Sequence, residues 1–179
     1  MEIRPIGIAS ARAWCDRVHS HHRAPLGGLF ALAVWVDDRC VCVAVVSRPV
    51  ARALDDGRTA EVTRVASDGS TRGAASAVLR ACVRACAERG LDRVTSYTLA
   101  GEVGASYRAA RWRPTAIVRG GEWSRSARAR APVDQRGDKI RWEAGERAAP
   151  RSMAAMELLA RSLGTALVTR VPAQQEFDL

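Results

Sequence analysis

Residues 61–89, EVTRVASDGSTRGAASAVLRACVRACAER, run from a short strand through a turn of small residues straight into a helix, and this run constrains the fold more than any other part of the chain. From Glu61 to Ala66 apolar and polar residues alternate with the β-branched content of a half-buried strand. Asp68, Gly69, Ser70, Thr71 and Gly73 supply turn chemistry. From Ala74 to Arg89 the spacing predicts an amphipathic helix, with Val78, Leu79, Cys82, Val83 and Cys86 on one face and Arg80, Arg84 and Glu88 on another. Gly90 is placed to end it. The unpaired amides of such a helix start, reinforced by the helix dipole and unobstructed by bulky side chains, attract a phosphate or pyrophosphate. The alternative is an ordinary strand, turn and helix without a ligand.

The elements around this run follow a consistent order. Ile8 to Val18 reads as a short helix and residues 20–25 as a polar loop. Leu29 to Val36 and Arg39 to Ser47 read as two strands of a hairpin about Asp37 and Asp38. After the central helix, Arg93 to Leu99 reads as a strand, Ala105 to Ala110 as a short helix and Thr115 to Arg119 as a further strand. Residues 122–150 are irregular and polar, so they read as a loop or a substrate-facing arm. Ser152 to Leu163 reads as a last helix with Met153, Met156, Leu159 and Leu163 on one face, docked on the domain or on a second subunit. The expected division is a domain over residues 1–121, a basic arm over 122–150, and a helix with its tail over 151–179.

With 179 residues and 47% apolar content, the chain has enough material for one well-formed core. It has neither a run of about 18 apolar residues nor the apolar segment of a secretory leader at its start, so a cytoplasmic location is expected. Its five cysteines are odd in number. Cys40 and Cys42 alternate with valines and Cys82 and Cys86 fall on the apolar helix face, which suits buried thiols better than disulfides or metal ligands. No metal site is expected.

The net charge of +9 is unevenly distributed: +3 over residues 1–107, +7 over 108–151 and −1 over 152–179. The basic segment interleaves Trp112, Trp123 and Trp142 with arginines, a mixture able to neutralise phosphates and stack on bases. Arg113, Trp123, Arg125, Arg128, Arg130, Lys139 and Arg141 are therefore the candidate contacts to DNA or RNA. The competing account is a coding preference for arginine, with the tryptophans in the core.

The order of elements, together with the phosphate turn and YRAARW at Tyr107 to Trp112, resembles the GNAT acyl-coenzyme A dependent N-acyltransferases over residues 1–120. In that family a tyrosine is followed by three residues, a glycine and an aromatic. The phosphate turn of the family has Gln or Arg, two residues, Gly, one residue, then Gly or Ala. Gly73 and Ala75 fit the last two places, whereas Ser70 occupies the first, with Arg72 as a substitute. A narrower resemblance is to GNAT-like proteins of phages and prophages, including the Mom type that modifies adenine in phage DNA, through Glu61, Arg64, Ser76 and Tyr107.

The resemblance implies an α+β fold, with a mixed, mostly antiparallel sheet flanked by helices and a C-terminal helical extension. It also implies acetyl-CoA or another acyl-CoA as cofactor. Tyr107 would be the general acid that protonates the departing thiolate. Glu61 would be the base that accepts the amine proton, or else a partner of Arg64. Arg64, Ser70, Arg72, Gly73, Ala75 and Ser76 would surround the cofactor phosphates. His21 and His22 offer another base, since imidazole titrates near neutrality, and His22 is the candidate taken from that pair. The expected acceptor is an amine on nucleic acid; a small amine, a protein amine, or a binding module without catalysis are the alternatives.

Overall fold

The computed structural model describes residues 1–18, 27–120 and 137–162. Within them a seven-stranded open sheet carries four helices, an α+β architecture. The order in sequence is β1 (Glu2–Ile6), α1 (Ile8–Val18), β2 (Phe30–Val36), β3 (Arg39–Ser47), β4 (Thr59–Ser67), α2 (Ala74–Ala87), β5 (Arg93–Leu99), α3 (Ala105–Ala109), β6 (Arg113–Val118), β7 (Lys139–Ala144) and α4 (Met153–Ser162). In space the strands lie β1-β2-β3-β4-β5-β7-β6, and every neighbouring pair is antiparallel except β4 with β5.

Local chemistry explains most of these elements. Asp37 and Asp38 turn the β2–β3 hairpin with φ of 48° and 58°, the double left-handed geometry of a turn that matches strand twist. Gly90, at φ 72°, follows the end of α2, and the Leu91 amide donates back to the Cys86 carbonyl at 2.9 Å, closing the helix in a Schellman arrangement. Val78, Leu79, Cys82 and Cys86 are buried on the sheet side of α2, while Arg80, Arg84 and Glu88 are exposed.

Two apolar layers sandwich part of the sheet. On one face, α2 and α4 pack over Val34, Ala44, Val46, Ala60, Val62, Val94, Ile140 and Trp142. On the other, Ala11, Trp14 and Cys15 of α1 cover Ala31, Ala33, Val43, Val45 and Ala66 of β2, β3 and β4. All five cysteines are free thiols. Burial pushes Cys42 up to about 12 and Cys86 to about 11, so both stay protonated packing groups. No helix among the described residues is long and apolar enough to cross a membrane.

Three expectations need correction. β1 was not foreseen, because it is five residues long and contains Pro5, which an edge strand tolerates. Residues 139–144, expected to belong to a polar arm, form β7 and insert between β5 and β6. Their alternation sends Ile140 and Trp142 into the core, and Trp142 donates its indole N–H to Thr98 Oγ1 at 3.0 Å. The apolar face of α4 is formed by Ala155 and Leu159, whereas Met153 is 63% exposed; Leu163 lies outside the described residues. The helix packs on β6 of its own chain, and the Ser152 amide before it donates to the Pro114 carbonyl at 2.8 Å.

Candidate active site at the parting of β4 and β5

The parallel ladder between β4 and β5 joins only Thr59 to Arg93, Ala60 to Val94 and Glu61 to Thr95, although the strands are nine and seven residues long. Past Glu61, β4 is paired only on its β3 side, and Thr63 forms a bulge there. At the point of parting, Ser96 Oγ donates to the Val62 carbonyl at 2.8 Å and meets the Tyr107 hydroxyl at 2.8 Å. A serine has one hydroxyl hydrogen, and the Val62 carbonyl takes it. Tyr107 must therefore be the donor to Ser96.

Aromatic packing holds the tyrosine in place. Its ring stacks on Trp142 with centroids 5.3 Å apart and meets the edge of Trp112 at 5.6 Å. Burial raises the hydroxyl to about 12, so it keeps its proton throughout the neutral range. Gly104, at φ 57°, lets the backbone reach the Trp142 ring, where a β-carbon would collide with it. Arg111 adopts φ 65° in the place where the resembled motif has glycine, and this turn brings Trp112 against Tyr107. A depression of about 360 Å3 lined by Thr98, Glu102, Gly104, Ser106 and Tyr107 borders the ring.

Glu61 lies on the opposite face of the sheet. It alternates with Ala60 and Val62, which face α2, and it is only 6% exposed. Its Oε2 accepts the Val50 amide at 2.9 Å. Burial pushes its pKa up, offset in part by the Val50 hydrogen bond and by the charge of Lys139. Such a carboxylate is a better proton acceptor than a solvated one.

The turn before α2 is organised by Asp68. Its Oδ1 accepts the Ser70 amide at 2.9 Å and the Ser70 hydroxyl at 2.6 Å, and its Oδ2 pairs with Arg39 at 2.6 Å. These contacts hold the carboxyl down at about 2. Gly73 precedes the helix at φ 84°, and no side chain caps the first amides. The helix start is therefore open to an anion, with Ala75 half-buried and Arg72 exposed beside it.

Two proposed phosphate ligands sit elsewhere. Ser76 is buried and spends its hydroxyl on the Gly73 carbonyl at 2.9 Å, inside the helix. Arg64 pairs in register with Val45, whose side chain belongs to the α1 layer, and its charge offsets part of the burial shift of Cys15 on α1. It thus lies across the sheet from the α2 start. The bulge at Thr63 shifts the alternation, which the sequence does not reveal.

Among the candidate nucleic-acid contacts, Arg113 donates to the Ala148 carbonyl at 3.3 Å. Arg141 sits 2.9 Å from Glu143 Oε1 and donates to Thr115 Oγ1 at 3.3 Å. Lys139 is half-buried at the start of β7. Trp112 and Trp142 are core residues. Trp123, Arg125, Arg128, Arg130 and the histidine candidates His21 and His22 lie outside the described residues. No group of three or more metal-ligating side chains occurs among the described residues.

No protein-family model matches the chain, and no curated protein matches it. Solved structures do. A ribosomal-protein-alanine N-acetyltransferase from Brucella melitensis superposes with a TM-score of 0.58 at 13% identity, covering 81% of this chain and 99% of its own. A ribosomal-protein-S18-alanine N-acetyltransferase from Escherichia coli gives 0.55 at 15% identity, covering 83% and 99%. A GNAT family acetyltransferase from Elizabethkingia anophelis, solved with acetyl-CoA bound, gives 0.52 at 12% identity, covering 80% and 97%. The chain has the GNAT acetyltransferase fold. At these identities the likeness concerns the fold alone. Ser96 and Tyr97 were not singled out from the sequence; the usable signal for Ser96 is a hydroxyl in the strand position between Val94 and Thr98 that faces the core.

Proposed function

We propose that this GNAT-fold chain is an acyl-CoA-dependent N-acyltransferase, with Tyr107 as general acid and Glu61 as general base. The observation that carries the reading is the Tyr107 hydroxyl held by Ser96 where β4 and β5 part, on the same face as the uncapped start of α2. The residues suit the cofactor: Gly73 and Ala75 leave amides open for a pyrophosphate, Ser70 and Arg72 flank the turn, and the parted strands leave edge groups for an extended chain.

The cofactor would supply a thioester carbonyl and a sulfur leaving group. Glu61 accepts the proton lost by the amine as the carbon–nitrogen bond forms. Tyr107 gives its proton to the sulfur as the carbon–sulfur bond breaks, which restores a neutral thiol. Each carries one proton, and each meets the bond between them from its own side of the sheet.

For the acceptor, an amine on nucleic acid, of the Mom type, draws support from the +7 excess over residues 108–151. A small or protein amine draws support from Arg113 and Arg141, whose side chains already have partners within the fold. Tyr107→Phe tests the common core: acyl transfer should fall about 10²-fold with acetyl-CoA affinity unchanged. Unaltered turnover would remove Tyr107 from the reaction. Binding to DNA or RNA that weakens steeply with salt would favour the first acceptor, and transfer to simple amines without nucleic acid the second.

A further inference from the structure

The sheet face opposite Tyr107 carries polar groups in register beyond the reach of the α1 layer. Across β4, β5 and β7, Glu61 stands beside Thr95 and Thr95 beside Glu143. One step along, Tyr97 stands beside Arg141, and one further step brings Leu99 beside Lys139. Successive rows are about 7 Å apart, two residues of extended chain. Glu61 is 6% exposed and Thr95 and Glu143 are fully buried, whereas Tyr97, Arg141 and Lys139 are half-buried.

Resting on the proposed acyltransfer, we infer that this row is the acceptor subsite, and that it takes a primary amine bearing an anionic oxygen, a phosphate or a carboxylate. The amine sits at Glu61 and the anion one to two rows away, at Tyr97 and Lys139. Three observations converge on this. The ladder ends beside Glu61 and Thr95, so an amine on this face reaches the gap that Tyr107 borders from the other. Arg141 is held by buried Glu143, whose second oxygen takes the Ala149 amide at 2.9 Å, so this pair forms a fixed polar floor. Tyr97, half-buried and paired in register with Arg141, occupies the row between that of Glu61 and that of Lys139. Glu143 balances Arg141, and the charge of Lys139 is felt at Glu61. An ammonium at one end and an oxyanion at the other match that polarity.

The new assignment is Tyr97 as a positioning residue and Lys139 as the anion contact. The reaction is unchanged: the amine nitrogen bonds the acyl carbon, its proton passes to Glu61, and the sulfur leaves with the proton of Tyr107. The test compares kcat/KM for 2-aminoethyl phosphate, β-alanine and a short amine-bearing oligonucleotide with neutral 2-methoxyethylamine, using the full chain. Acetyl-CoA affinity is measured separately by calorimetry.

The wild type should prefer the anionic amines by about tenfold, the share of one charge-assisted hydrogen bond. Tyr97→Phe and Lys139→Gln should each erase most of that preference through KM, with cofactor affinity retained. The relative rates of the phosphate, the carboxylate and the oligonucleotide identify the source of the anion. Equal use of all amines, a preference for neutral ones, intact preference in both variants, or acetyl-CoA binding with no amine in the panel acylated would each overturn the inference. Absence of acetyl-CoA binding would instead overturn the acyltransferase reading itself.

Discussion

The two faces of the sheet at the parting of β4 and β5 are built from opposite materials. On the α2 side, Tyr107 is packed against Trp112 and Trp142 and bonded only to Ser96. On the other side, Glu61, Thr95 and Glu143 put a buried polar row where α1 no longer reaches. Aromatic burial keeps a proton on the phenol, while burial raises the carboxyl and a backbone hydrogen bond and a nearby lysine offset part of that rise. The proposed donor and acceptor of protons are thereby separated by the sheet. They can exchange only through a molecule that occupies the gap.

Removing one side should leave the other in place. Trp142→Ala, at a fully buried position, should cost about 3–5 kcal/mol of stability in chemical denaturation. It should also lower the Tyr107 titration while leaving the acid limb of the activity profile intact. Movement of both limbs together would show that the faces are coupled.

In the proposed reaction that acid limb belongs to Glu61. With its carboxyl pushed above the ordinary range by burial, kcat/KM should rise with pH through a midpoint higher than that of a solvated glutamate. It should not fall through Tyr107 until about 12. Glu61→Gln should remove the acid limb and lower turnover by about 10²-fold. A profile unchanged in the variant would move the base elsewhere.

A smaller effect is expected at Arg111, whose φ of 65° belongs to the aromatic side. Arg111→Gly should stabilise the fold by about 1 kcal/mol by relieving the left-handed strain, read as a rise in denaturation midpoint. A loss of stability would mean the arginine contributes more by contact than its backbone costs.

The smallest effect should come from Asp68, at the solvent edge of the turn. Its carboxyl lies at about 2 in the fold against an ordinary value of 3.8. A depressed carboxylate stabilises the fold above the ordinary value and loses that contribution as pH falls through the folded one. Asp68→Asn should therefore lower stability modestly at neutral pH, where the contribution is fully present, and flatten the acid unfolding curve between about pH 4 and 2.

The legible parts of the molecule are those whose cause is local. The β2–β3 hairpin, β5 and α2 follow from alternation, turn residues and helical spacing within a few residues of each position. The placement of Glu61 on β4, Gly73 before α2 and Tyr107 on α3 was readable because motif and element coincide. β7 was not, because KIRWEA looks polar until Ile140 and Trp142 pair with a strand some 40 residues earlier. The placement of Arg64 depended on a one-residue bulge, and Ser76 on an inward rotation of the first helical turn. The partnership of Ser96 with Tyr107 needed two elements to meet in space. Such facts are written in tertiary contacts, where periodicity has no purchase.

The late position of β7 in the chain has a consequence for biosynthesis. As the polypeptide emerges from the ribosome, β1 to β5 precede β7 with one edge of β5 still unpartnered, β6 lacks the strand it pairs with, and Tyr107 lacks the ring it stacks on. Only when residues 139–144 emerge can that strand join β5 to β6 and close the wall of the site. A nascent chain halted before that point would present an open, aggregation-prone edge. Tyr107, the proposed proton donor, therefore gains its stacking partner only late in synthesis.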